Sequence, residues 1–147
     1  KLLRIIYSCD IQPTAEIADT VTFAHKGLGI VIGIDTVIGE NTKIMQNVTI
    51  GGWNGIRANP VIGNNVLIGA GACIMGDIKI GNNVKIGANA VVLNDIPDNC
   101  TAVGVPAKIV KNGQNNDITT DAEGLLWANC YVEEMCLKRI SHWYIFV

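Results

Sequence analysis

Aromatic side chains are scarce in this 147-residue chain, at 5% of its residues. Only Tyr7, Phe23 and Trp53 fall in the first 111 residues; the other five lie beyond residue 120. Most cores draw much of their buried area from aromatic rings, so the first 111 residues have to build theirs from small aliphatic pieces. Long apolar runs are also missing. None approaches the roughly 18–20 residues of a helical membrane span. The formal net charge is −2, which provides no basic face for nucleic acid. The five cysteines, Cys9, Cys73, Cys100, Cys130 and Cys136, are odd in number and include no CxxC pair. That argues against a disulfide framework or a zinc knuckle and for a reducing compartment, with a cytoplasmic location expected. No GxxxxGK[ST] or GxGxxG loop occurs, so nucleotide binding by those routes has no support. The opening KLLRIIYSC lacks an initiator Met and is too short and Arg-interrupted for a signal peptide. Residues upstream of it are therefore expected.

Present in excess are Ile (22), Gly (16) and Asn (15), and they are arranged on a clock. Stepping by six from Ile32 lands on Ile38, Ile44, Ile50, Ile56, Ile62, Ile68, Ile74, Ile80, Ile86 and Val92. The next position is often Gly, and four residues after each anchor stands a compact residue such as Thr36, Val48, Ala72 or Ala90. A period of six is neither the 3.6 of a helix nor the 2 of a simple strand. It fits a solenoid in which each hexad is one short strand and one corner, three hexads make a coil, and coils stack about 4.8 Å apart. In that arrangement the anchors point inward, and Gly or Asn takes the strained backbone of the turn. The clock also runs through Ile11, Ile17 and Phe23.

Two irregularities break the pattern, and loops on a regular scaffold are the default place for function. The first separates Phe23 from Ile32, in AHKGLG, with three extra residues and the repeat's only His, His25. The second spans GGWNGIRANPV, residues 51–61, where residues 53–60 read as a loop leaving the coil, with a distorted pair of hexads as the alternative, and Trp53 interrupts an aromatic-free stretch. Histidine is the side chain suited to proton transfer near neutrality. Asp10 precedes His25 by somewhat less than one coil, close enough in register to orient an imidazole from a neighbouring coil.

The tandem [LIV]-G-x-x-[small]-x pattern over about residues 10–111 resembles the hexapeptide-repeat acyltransferases. That resemblance implies an all-β fold, a left-handed parallel β-helix. Asp10-Ile11-Gln12-Pro13, His25, GIVIG (29–33), VTIGG (48–52) and IPDNCTAVGVPAKIV (96–110) are similar in order and spacing to serine O-acetyltransferases. The resemblance implies an acetyl-CoA-dependent O-acetyltransferase in which His25 is the general base and Asp10 its support. It assigns Ala70 and Ala88 to a groove for CoA between subunits of a homotrimer, and Lys108 and Lys111 to the CoA phosphates, which attract cations. Backbone N–H groups near Gly51 and Gly52 are candidates for steadying the oxyanion of the bound thioester. No metal is implied.

Three departures concern the acceptor. The family's Asp before the catalytic His is Ala24 here, its Arg-His pair is Ala58-Asn59, and its helical N-terminal domain is not represented in these residues. Those charges hold a zwitterion, and leaving one unpaired costs several kcal/mol, about 3–5 for a buried pair. A neutral sugar or a surface-polysaccharide precursor is therefore the expected acceptor, with Trp53 stacking on a sugar face and Asn59 meeting hydroxyls. L-Serine and an amino sugar, acetylated on nitrogen, are the alternatives. A solenoid carbonic anhydrase needs three His ligands and is excluded by the single His25. An ice-binding scaffold would want regular exposed Thr columns, which are not present. Residues 1–111 are expected to form the solenoid domain. Residues 112–147 read as a linker and a partly helical extension, with an apolar stripe through Leu125, Val132 and Ile140.

Overall fold

The structure is a computed structural model that describes residues 8–53 and 59–112, with side chains to residue 110. All of these fall within the compact unit Lys1–Asn116. The predicted helical extension, with His142, lies outside the described residues.

Fourteen short strands wind into three parallel sheets, and a fifteenth folds back along one of them. Sheet A stacks β1 (Asp10–Ile11), β4 (Val31–Ile32), β7 (Thr49–Gly51), β10 (Cys73–Met75) and β13 (Val91–Val92). Sheet B stacks β2 (Glu16–Ile17), β5 (Val37–Ile38), β8 (Val61–Ile62) and β11 (Lys79–Ile80), and Ile96 bridges Ile80 at its end. Sheet C stacks β3 (Thr22–Phe23), β6 (Lys43–Ile44), β9 (Leu67–Ile68), β12 (Lys85–Ile86) and β14 (Cys100–Val103), and β15 (Lys108–Asn112) returns antiparallel to β14. The result is a three-sided parallel β-solenoid. Amide N–H groups of one coil donate to carbonyls of the next, as in Val31 N–H to Val48 O (2.9 Å) and Thr49 N–H to Ala72 O (2.9 Å).

The core is the clock made solid. Ile32, Ile38, Ile44, Ile50, Ile62, Ile68, Ile74, Ile80, Ile86 and Val92 are buried, and so are the compact residues four places on, from Thr36 to Ile96. Like anchors stack on like: Ile32 pairs with Ile50, Ile50 with Ile74, and Ile74 with Val92. Every flat side therefore offers the same branched shape to its neighbour, and no aromatic ring is needed to fill the prism.

As the sequence pattern implies, Asn and Gly take the strained backbone of the turns, joined by Asp35. Positive φ falls three residues after the anchor, at Asp35, Asn41, Asn47, Asn65, Gly71, Asn83 and Asn89, and at Asn99, three residues after Ile96, which bridges Ile80 in sheet B; these residue types tolerate the left-handed region. The glycines directly after the anchors are required for proximity instead. A Cβ on Gly63 would lie 2.9 Å from the Gly81 carbonyl carbon of the next coil. The left-handed asparagines also bond to one another: Asn65 Nδ2 donates to Asn83 Oδ1 (3.3 Å), and Asn83 Nδ2 to Asn99 Oδ1 (3.0 Å). Asn83→Ala removes both bonds and forces a Cβ-bearing residue without a local hydrogen bond into that region. Urea unfolding should show a loss of about 2 kcal/mol, and Asn83→Gly should recover the backbone part of it.

Register locates both irregularities. A regular coil takes eighteen residues, as from Val31 to Thr49 or from Cys73 to Val91. Coils that include the His25 turn take three more, as from Asp10 to Val31, and those that include residues 52–60 take six more, as from Thr49 to Cys73. The second surplus equals one whole hexad, which is why the clock keeps its phase across it. Ile62, not Ile56, is the sheet B anchor that follows Ile50 of sheet A. Ile56, counted among the anchors in the sequence, lies outside the described residues.

Candidate active site

The corner between sheets C and A collects most of the candidate residues. Thr22 pairs with Lys43, Lys43 with Leu67, Leu67 with Lys85, and Lys85 with Thr101. Three positions after each of these stand His25, Gln46, Ala70, Ala88 and Gly104. Gln46, Ala70, Ala88 and Gly104 form one column of the solenoid, one residue from each coil; the three inserted residues displace His25 from it, and Leu28 takes the level above Gln46. Backbone bonds hold successive levels together: Asn47 N–H donates to Leu28 O (2.9 Å), Gly71 N–H to Gln46 O (3.0 Å), and Asn89 N–H to Ala70 O (2.8 Å).

His25 stands at the same corner, three residues before Leu28, on a 3-10 turn, Ala24–Gly27. His25 and Lys26 both have left-handed backbone, at φ 50° and 58°, and Gly27 and Gly29 follow at 75° and 68°. Non-glycine residues pay a conformational cost there and concentrate where the surroundings impose it, often at functional sites. The turn leaves His25 and Lys26 exposed, while Gly27 is buried beneath them. Asp10 begins sheet A beside the same corner: its N–H donates to Ile30 O (2.8 Å), and its Cα pairs with that of Val31. One corner thus holds both residues expected to act on a proton.

Beyond Gln46 the column is cut from small residues. Ala70 is half-buried and Ala88 exposed, and a Cβ on the adjacent Gly69 would come within 2.8 Å of the Gly87 carbonyl carbon. A slender ligand arm can therefore lie against backbone along this edge. At its far end Lys108 is exposed and pairs across the β14–β15 ladder with Val103, the neighbour of Gly104. The Lys111 side chain lies outside the described residues.

The other corner, between sheets A and B, is separate. Gly51 and Gly52 are half-buried there, and Gly51 O accepts from Gly76 N–H at 3.0 Å. Trp53, 50% exposed, borders a cleft of about 320 Å³ with Met75, Gly76, Asp77, Ile78 and Leu93. Asn59 is only 9% exposed. Its Oδ1 lies 3.3 Å from where a Cβ on Gly33 would stand, and its Nδ2 is buried with no hydrogen-bond partner among the described residues. His25 and Trp53 therefore leave the solenoid at different corners of one chain.

Sequence reasoning passes over Gln46. It occupies the same hexad position as Ala70 and Ala88, two residues after an anchor, so the signal is available in the spacing. Its carboxamide oxygen is buried and has no hydrogen-bond partner among the described residues.

A six-residue repeat closing three parallel sheets around aliphatic columns defines a hexapeptide-repeat solenoid, and residues 59–94 match the family described as bacterial transferase hexapeptide (six repeats). With the similarities that follow, this match fits a hexapeptide-repeat acyltransferase. It is 44% identical over 118 residues to the serine acetyltransferase of Buchnera aphidicola subsp. Schizaphis graminum, covering 78% of this chain and 45% of that protein. Among solved structures, a serine acetyltransferase in complex with CoA superposes with a TM-score of 0.67 at 44% identity, covering 74% of this chain and 44% of the other. Neisseria gonorrhoeae serine acetyltransferase in complex with serine gives 0.69 at 43% identity, covering 72% and 44%. The chain thus spans less than half the length of each of these relatives. Among the described residues, no helix is long and apolar enough to cross a membrane.

Proposed function

We propose that this chain carries the catalytic solenoid of an acetyl-CoA-dependent O-acetyltransferase, with L-serine as acceptor. The observation that carries the reading is the corner that holds an exposed, strained His25 beside a column running from Leu28 past two alanines to Gly104 and Lys108. Its four steps of about 4.8 Å extend over about 19 Å, on the order of an extended pantetheine arm. His25 takes the proton of the acceptor hydroxyl as the oxygen attacks the thioester carbonyl. Asp10 orients the imidazole and steadies its charged form. Backbone N–H groups at Gly51 and Gly52, which stand at the other corner, meet the developing oxyanion from a second copy of the chain, after which the carbonyl re-forms and the thiolate leaves with a proton from His25. Lys108 and Lys111 attract the phosphates of CoA.

Serine is supported as acceptor by the similarity to serine acetyltransferases, one of them solved in complex with serine. A sugar hydroxyl remains the second reading. It is favoured by Ala24, by Ala58-Asn59 and by the apolar cleft beside Trp53. Because His25 and Trp53 stand at different corners, a site using both requires a second copy of the chain, in keeping with a homotrimer in the cytoplasm.

Release of CoA from acetyl-CoA, measured with L-serine, neutral sugars and amino sugars, tests this reading. The highest kcat/KM is expected with L-serine. Turnover confined to a neutral sugar would overturn serine, turnover confined to an amino sugar would replace O-acetylation by N-acetylation, and no turnover with any acceptor would sink the enzyme reading.

A further inference from the structure

We infer that Asp77 and Trp53 form the subsite for a protonated amine on the acceptor, so that Asp77 sets the preference for L-serine over acceptors without an amine. The inference rests on the acetyltransferase reading and deepens it. Three observations carry it.

The first is place. Met75 pairs with Gly51 in sheet A, and Gly76 N–H donates to Gly51 O at 3.0 Å, so Asp77 stands one coil from Trp53. Gly76, at φ 106°, keeps the two segments close, since a Cβ on it would lie 3.9 Å from Trp53 Cβ. Leu93 closes the cleft from the following coil, two residues after Val91, which pairs with Cys73. The cleft therefore spans two coil steps, about 10 Å, enough for a small amino acid beside the Gly51 and Gly52 amides.

The second is charge. Trp53, Met75, Gly76, Ile78 and Leu93 are uncharged, so among the described residues Asp77 supplies the lining's one charge, and it is negative. Its exposed carboxylate makes no hydrogen bond or ion pair among the described residues. The next carboxylate along this corner, Asp95, is engaged, accepting from Lys79 N–H at 2.8 Å. The third is the ring. An indole attracts cations to its face, and beside a carboxylate on an otherwise apolar wall it favours an ammonium over a neutral hydroxyl.

The chemistry of the acceptor fits that place. In L-serine the hydroxyl oxygen and the ammonium nitrogen are three bonds apart, less than one coil step of about 4.8 Å. A hydroxyl attacking a thioester whose oxygen is held by the Gly51 and Gly52 N–H groups brings its ammonium within one coil of them, at the level of Asp77. Pairing there turns the hydroxyl toward the thioester and toward His25 of a second copy. Asp77 takes no proton, and no bond is made or broken at it.

Asp77→Asn keeps the shape of the side chain and removes the charge, Asp77→Glu keeps the charge, and Trp53→Leu removes the ring. Acetyl transfer from acetyl-CoA would be followed with L-serine, with D-glucosamine and with neutral sugars. Loss of one charge-assisted hydrogen bond predicts kcat/KM for L-serine lowered about 10- to 100-fold in Asp77→Asn, chiefly through KM, with the KM for acetyl-CoA unchanged. Asp77→Glu should recover part of that loss. Trp53→Leu should lower kcat/KM for L-serine about two- to fivefold.

An unchanged KM for L-serine in Asp77→Asn would overturn the inference. A parallel rise in the KM for acetyl-CoA would overturn it too, because that is the signature of a disturbed corner. Wild-type turnover of D-glucosamine instead of L-serine, lowered in Asp77→Asn, would uphold the amine subsite and replace serine as the acceptor. Turnover confined to neutral sugars would overturn the subsite together with serine. No transfer by the wild-type protein to any acceptor is a different result. It would remove the acetyltransferase reading, and the inference with it.

Discussion

Replacing His25 with alanine is expected to lower kcat for acetyl transfer by about 10²–10⁴-fold, the usual contribution of a positioned general base. The KM for acetyl-CoA should change little, because the proposed groove runs past Ala70 and Ala88 to Lys108, away from the His25 turn. The melting temperature should hold or rise slightly. His25 is exposed with φ 50°, so its side chain contributes little to packing while its backbone is held in an unfavourable region. His25→Gly should relieve that backbone cost, so the Gly variant is expected to be at least as stable as wild type and equally inactive. Full activity in both variants would show that another group takes the proton. Asp10→Asn should give a smaller loss than His25→Ala, since Asp10 acts through the imidazole in this mechanism.

The second large effect is on stability. Ile74 is fully buried between Ile50 and Val92 in the sheet A column, while Ile11, at the open end of the same column, is 38% exposed. Ile74→Ala should destabilise the solenoid by about 3–5 kcal/mol, the range for a rigid core that cannot collapse around the cavity. Ile74→Val should cost about 1 kcal/mol, and Ile11→Ala markedly less than Ile74→Ala. Guanidinium denaturation checks all three. Each coil touches only its neighbours, so a defect at a central coil weakens two interfaces and a defect at an end coil weakens one. Equal losses at Ile11 and Ile74 would contradict this nearest-neighbour account.

The solenoid itself is legible in the sequence. The anchors recur every six residues, and a β-branched residue at a fixed phase can only be accommodated by turning the chain after each short strand. Ile32 to Val92 therefore announce the solenoid, and the surplus around His25 announces a corner that departs from it. The second surplus is harder to place. Six extra residues leave the phase untouched, so Ile56 looks like an anchor in the sequence, and only the pairing of Val37 with Val61 exposes the skipped hexad. The glycines after the anchors mislead for a related reason. Their conformation is ordinary, and what forbids a side chain there is the backbone of the next coil, which no local pattern encodes.

Periodicity by itself determined the fold class, the aliphatic core and the two places where chemistry can gather, because each depends on residues within one hexad of each other. The tertiary structure decided which of those places belong together. Stacking sets Leu28, Gln46, Ala70, Ala88 and Gly104 in one column beside the His25 turn although 76 residues of chain separate the first from the last, and it sends Trp53 to a different corner. Those relations depend on how many residues each coil consumes, and that number varies between sixteen and twenty-four. A sequence displays its period at every step, but the register between coils is a sum over whole turns. Only the hydrogen-bonded stack records that sum.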